Sequence, residues 1–134
     1  MDRFKRYIML LLIFIRGDMR AEYFKKKNYF KSIGEHCYLQ PWNFGTEPHL
    51  ISFGDNVHAA SGVTFINYDI TCMMFNYMDK EHHYKLRQGN IIIGSNVFIG
   101  AKSIVLYDVT IGDNVIIGAG SLVNKDIPSG TVVA

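Results

Sequence analysis

Five histidines give the chain its most direct route to proton transfer near neutral pH, because an ordinary imidazole titrates near 6.5. They are His36, His49, His58, His82 and His83. His82 and His83 are adjacent, inside an irregular stretch, residues 67–90, that reads NYDITCMMFNYMDKEHHYKLRQGN. His58 follows Asn56 and Val57 in a more regular segment. Neither the histidines nor Cys37 and Cys72 show metal or redox spacing, so the thiols read as free cysteines and no metal is expected. Catalytic groups of this kind need a rigid frame, and the neighbouring sequence supplies one.

Between Ile93 and Val123 a branched aliphatic residue returns every sixth position: Ile93, Ile99, Val105, Ile111, Ile117 and Val123. Glycine follows four of them, at Gly94, Gly100, Gly112 and Gly118. Neither a helix nor simple strand alternation has this period. It suits a chain that bends by a third of a turn at each unit, so that three units close one triangular coil. The aliphatic residues then stack along the axis, and glycine takes corners where a positive φ or a close backbone approach would penalise a Cβ. Stacked coils add parallel strands about 4.8 Å apart, which is the hexapeptide parallel β-helix.

The 134 residues suit one domain, and an apolar fraction of 49% with 19% charged residues describes an ordinary folded protein. A net charge of +2 without a basic, aromatic-laced stripe gives no support for nucleic-acid binding. Residues 1–32 form a separate N-terminal segment. Its apolar run, Tyr7 to Ile15, is flanked by Arg3, Lys5, Arg6 and Arg16. As a helix the run spans about 14 Å, too short to cross a bilayer, and no small-residue cleavage site follows it. It is expected to cap the open end of the prism or pack between subunits. A peripheral membrane contact through residues 1–20 and a targeting segment are the other readings. The repeat domain covers residues 33–134, degenerate at first and broken by Pro41 and the GTEPH stretch, with residues 67–90 as one long inserted loop. The expected fold is all-β, a helix of about four coils and about 20 Å tall, with an N-terminal α-helical segment.

The run IGSNVFIGAKSIVLYDVTIGDNVIIGAGSLVNKDIPSGTVVA, residues 93–134, resembles the hexapeptide-repeat acyltransferases, in particular the small sugar and polysaccharide O-acetyltransferases. FGTEPHLISFGDNV, residues 44–57, is similar to the polysaccharide branch. The resemblance implies a left-handed helix and a homotrimer with acetyl-CoA in a groove between neighbouring prisms. It also implies a sugar or polysaccharide-precursor acceptor, and a cytoplasmic location, at the inner face of the membrane if the N-terminal run makes contact. On that resemblance Ala101 and Ala119 meet the pantetheine arm. Asn124 and Lys125 occupy the family's Thr-Lys position, with Lys125 toward the CoA phosphates.

The family's general base is a histidine at the start of the long loop, after V-T-F-I. Here VTFI is followed by Asn67, Tyr68 and Asp69, so Tyr68 holds the histidine slot. An ordinary tyrosine is ionised to only about 0.1% at pH 7, a deficit of roughly 4 kcal/mol against histidine. His58, His82 and His83 are the candidate substitutes, and Asp69 is a candidate to orient a base or bind a sugar hydroxyl. The expected function is an acetyl-CoA-dependent O-acetyltransferase acting on a carbohydrate hydroxyl in envelope polysaccharide synthesis. The alternative is a non-catalytic trimer, a scaffold or ligand-binding subunit. A zinc-dependent hexapeptide enzyme matches poorly, because His82 and His83 are adjacent.

Overall fold

A computed structural model describes residues 2–134. Two helices, α1 (Arg3–Ile15) and α2 (Gly17–Lys26), precede short strands that assemble into three parallel sheets. The first sheet joins Ser32–Ile33, Ile51–Phe53, Ile91–Ile93 and Val109–Ile111 in that order. The second joins Tyr38–Leu39, Val57–Ala59, Val97–Ile99, Val115–Ile117 and Val132–Val133, and the third joins Thr64–Ile66, Ile104–Leu106 and Leu122–Val123. Consecutive strands fall on successive sheets, so the chain winds around a prism. Equivalent residues of neighbouring coils are 18 apart in the regular part, as Asn96 and Asn114 are. Across the inserted loop they are 40 apart, as Asn56 and Asn96 are.

The six aliphatic residues of the period all point inward, none more than 3% exposed. The period counts only part of the core. In each three-residue strand of the first two sheets the first residue also points in: Ile91, Val97, Val109 and Val115 are at most 2% exposed. Each strand of the third sheet turns in one residue only, Phe65, Val105 and Val123, with Ile104 turned outward. Of the two reasons for corner glycines, close approach is the one realised. A Cβ on Gly94 would lie 2.8 Å from the Gly112 carbonyl group, and one on Gly100 would lie 2.7 Å from the Gly118 carbonyl carbon. The left-handed conformation falls instead to an asparagine column, Asn56, Asn96 and Asn114, with φ of 55°, 58° and 56°. Asparagine tolerates that region better than most residues.

At the N-terminal end aromatic residues replace the aliphatic ladder. α2 buries Ala21 and Phe24 against Phe30 and Phe44, with Phe53 and Phe65 next along the axis. This cluster seals the prism, and α2 is the element that covers the first coil. Arg20 locks the arrangement. Its guanidinium is buried and donates to the carbonyls of Leu39, Gln40 and Phe14, tying both helices to the first coil. Burial pulls its pKa down, and the Trp42 ring lies 4.2 Å beneath it.

Residues 67–90 are ordered. Tyr68–Asp69 pairs antiparallel with Arg87–Gln88, and α3 (Thr71–Met78) lies between them. The neck is closed where the Gly89 N–H donates to the Asn67 carbonyl at 3.0 Å. Asn67 is fully buried, and its Oδ1 accepts the Glu47 N–H at 3.3 Å, which fastens the loop to the GTEPH segment.

Candidate active site

One residue of each strand in the second sheet faces outward, and the register aligns Tyr38, His58, Phe98, Ile116 and Val132 in one column. His58 and Phe98 therefore share the repeat position that the sequence assigns them. The asparagine corner next to this column fixes the imidazole. Asn56 Nδ2 donates to Asn96 Oδ1 at 3.0 Å, and Asn96 Nδ2 donates to Asn114 Oδ1 at 3.1 Å. The ladder sets the amide of Asn56 so that its Oδ1 meets His58 Nε2 at 2.9 Å. With the amide oxygen turned to it, Nε2 is the donor of this contact and Nδ1 is left outside the ladder. Tyr38 stacks on the imidazole, with centroids 5.8 Å apart and planes inclined by 18°.

His58 opens onto a cleft of about 410 Å³ that also includes Ser61, Phe98 and Ala101. Ala101 continues into a shelf of short side chains. The Lys102 N–H donates to the Ser61 carbonyl, and the Gly120 N–H donates to the Ala101 carbonyl, so Ser61, Ala101 and Ala119 stack along one edge. Nothing longer than a serine side chain stands on that edge, and its backbone is approachable from outside.

A second cleft, of about 440 Å³, lies at the corner from which the loop emerges. It is lined by Arg87, Tyr107, Asp108, Asn124, Lys125 and Asp126, with Leu106 at its edge. Its order comes from the loop. Asp69 Oδ2 accepts the Tyr107 hydroxyl at 3.0 Å, and Asp69 Oδ1 accepts the Thr71 N–H at 2.8 Å. The Arg87 guanidinium lies 5.2 Å from the Tyr107 ring centroid and 3.4 Å from Asp108 Oδ2. The Thr71 backbone N–H, its side chain and the Tyr107 hydroxyl hold the Asp69 carboxyl below the usual carboxylate range. The same bond to Asp69 raises the Tyr107 phenol, which makes it a hydrogen-bond donor and not a base.

The nine sequence candidates are thus divided among separate places. His58 and Ala101 share one cleft, Ala119 continues its shelf, and Asn124 and Lys125 line the other. Asp69 braces the loop beside the lysine cleft. Tyr68 is half-buried in the neck strand, paired with Gln88, and lines neither cleft. His82 and His83 line neither cleft either; the His82 Nδ1 meets Asp79 Oδ2 at 2.6 Å within the loop itself. Tyr38 also lines the first cleft, and Tyr107 and Arg87 the second. Only the asparagine column had a visible signal, in the recurring GDN and GSN triplets before Val57, Val97 and Val115.

Residues 90–125 match the family model described as bacterial transferase hexapeptide (six repeats). Protein CapG of Staphylococcus aureus is 44% identical over 69 residues, which are 50% of this chain and 37% of CapG. The chain thus spans well under half of that relative. The hexapeptide-repeat acetyltransferase VCA0836 of Vibrio cholerae superimposes with a TM-score of 0.62 at 21% identity, over 97% of this chain and 83% of that one. At that identity the likeness is one of fold. A galactoside acetyltransferase solved with coenzyme A gives a TM-score of 0.58 at 27% identity, over 85% of this chain and 64% of its own. Residues 90–125 thus carry a hexapeptide repeat, in keeping with the six-residue core period and the three parallel sheets.

Proposed function

We propose that the protein is an acetyl-CoA-dependent O-acetyltransferase acting on a carbohydrate hydroxyl in envelope polysaccharide synthesis, with His58 as its general base. The observation that carries this reading is His58, held by the Asn56 amide at 2.9 Å, beside the shelf of short side chains. The donor supplies an activated thioester acyl group. A pantetheine arm fits the shelf because Ser61, Ala101 and Ala119 leave the backbone edge open, and a bulky side chain there would hold an extended chain away. His58 Nδ1, free of any partner bond within the ladder, takes the hydroxyl proton of the acceptor as its oxygen attacks the thioester carbonyl, and gives it to the CoA sulfur as the C–S bond breaks. Correct placement of such a base is worth about 10²–10⁴ in rate. Lys125 and Arg87 supply positive charge at the loop corner for the donor's phosphates.

A homotrimer accompanies this reading. Phe98, Ile116 and Val132 form an outward apolar column, 47–72% exposed, along a face suited to a neighbouring prism. The helix is read as left-handed, as the family resemblance implies. CapG and the galactoside acetyltransferase motivate the acceptor class. A second reading, a CoA-binding scaffold without activity, is favoured by Tyr68 in the loop position where relatives carry histidine.

A thiol-release assay with acetyl-CoA and a panel of sugar acceptors separates the two. Acceptor-dependent release that His58→Ala abolishes supports the transferase. CoA binding without release on any acceptor supports the scaffold.

A further inference from the structure

α1 has two apolar faces. Ile13 is its one residue buried against the protein. Across the helix, at about 100° per residue, Phe4, Tyr7, Ile8, Leu11, Phe14 and Ile15 fall within an arc of about 120°. All six are between 43% and 69% exposed. A face of this size on one helix is more than scattered surface apolar residues account for.

The charges around it indicate what covers it. Arg3 borders the arc on one side and Lys5 on the other, with Arg6 behind, and all three are exposed. α1 contains no acidic residue; the nearest, Asp2, is occupied in capping the Phe4 N–H at 2.8 Å. Two copies of the face laid together would bring basic rims against each other with no acid to meet them. An anionic surface supplies the opposite charge, and long basic side chains at the rim of an apolar face keep their heads in the headgroup region. At 13 residues, about 20 Å, the helix is too short to cross a bilayer core of about 30 Å. Lying in the plane of the interface suits that length.

Its attachment is rigid. The buried Arg20 donates both to the Phe14 carbonyl and to the Leu39 and Gln40 carbonyls of the first coil. Phe14 also packs on Trp42, centroids 6.0 Å apart, and Trp42 is 43% exposed at the edge of the patch. An amphipathic ring at that depth is where interfacial tryptophans sit.

We propose that α1 is an interfacial anchor that lays its open face into an anionic lipid surface, with Trp42 at headgroup level. This inference stands apart from the acetyl-transfer reading. The full chain is tested by co-sedimentation with phosphatidylcholine vesicles, with and without about 30% phosphatidylglycerol. Binding is expected on the anionic vesicles, weaker by about tenfold or more on the neutral ones and in high salt. Emission of Trp42, the chain's single tryptophan, should move to shorter wavelength on binding. Phe4→Ser with Leu11→Ser, two exposed positions whose change should leave the thermal melt unaltered, should lower vesicle binding by about tenfold or more. Equal binding to both vesicle types, or binding retained by the double variant, overturns the proposal. So does wild-type protein that ignores vesicles while the double variant changes oligomeric state in sedimentation velocity, because the face would then belong to a second copy.

Discussion

The corner that carries Asn56, Asn96 and Asn114 and the corner that carries Asp69, Tyr107 and Asp108 belong to the same prism but are built by different rules. At the first, each coil repeats the contact of the one before it: amide to amide, left-handed residue over left-handed residue. At the second, the contacts that join loop to coil occur once each, as in Asp69 with Tyr107 or Arg87 with Asp108. The repeated corner fixes geometry by redundancy and holds His58. The unrepeated corner gathers charge and depends on single bonds. A base benefits from the first kind of support, whereas a flexible anionic group can be met by the second.

The sharpest way to break this contrast is His58→Ala. Acceptor-dependent acetyl transfer should fall by about a hundredfold or more with the thermal melt unchanged. A normal rate in that variant, with a loss in Tyr68→Phe or His82→Ala, would move the chemistry to the loop. Next in size is the core that both corners share. Ile117 is fully buried, and Ile117→Ala should cost about 3 kcal/mol in urea denaturation.

The ladder itself gives a smaller and more discriminating effect. Asn96→Ala removes two ladder bonds and a residue suited to φ 58°, for a loss of about 1–2 kcal/mol. Asn96→Gly, free of the backbone strain, should regain part of that stability. Both variants free the amide of Asn56, so both should lower kcat more than they raise KM. The smallest effect is expected at the loop. Tyr107→Phe should raise protease cleavage within residues 67–90 severalfold and leave the global melt in place.

Acid should mimic that last change. The Asp69 carboxyl has a lowered folded pKa, so its contribution is present above the ordinary value of 3.8 and disappears as pH falls through the lowered one. Loop protection in hydrogen exchange should therefore stay flat through neutral pH and drop only below about pH 4.

The contrast also explains what could be read from residues alone. The aliphatic column from Ile93 to Val123 was legible because each position meets its own equivalent, so the spacing encodes the contact. The second inward set, Ile91, Val97, Val109 and Val115, was there to be seen but lay outside the period as counted. The asparagine ladder had a signal in its GDN and GSN triplets. Tyr107 had none, because its partner Asp69 is 38 residues away and is brought to it only by the loop's own hairpin. The placement of His82 and His83 was likewise hidden, since their position depends on how α3 packs and not on any repeat. The N-terminal segment was legible as helix but not as two helices with different tasks. That division rests on Arg20, whose buried bonds reach carbonyls on elements far apart in sequence.

The neck that joins Asn67 to Gly89 has a consequence of its own. The strand before the loop and the strand after it keep their places in neighbouring coils, Ile51 still opposite Ile91 and Thr64 opposite Ile104, whatever lies between. The short ladder of Tyr68–Asp69 with Arg87–Gln88 and the Gly89-to-Asn67 backbone bond close the detour, so the coil treats it as a socket for other cassettes. Closure entropy grows only slowly with length, and a donor segment of different size should leave the prism's melting behaviour nearly untouched. The segment that carries Asp69 and Arg87 is then exchangeable as a part, without renegotiating the scaffold that carries it.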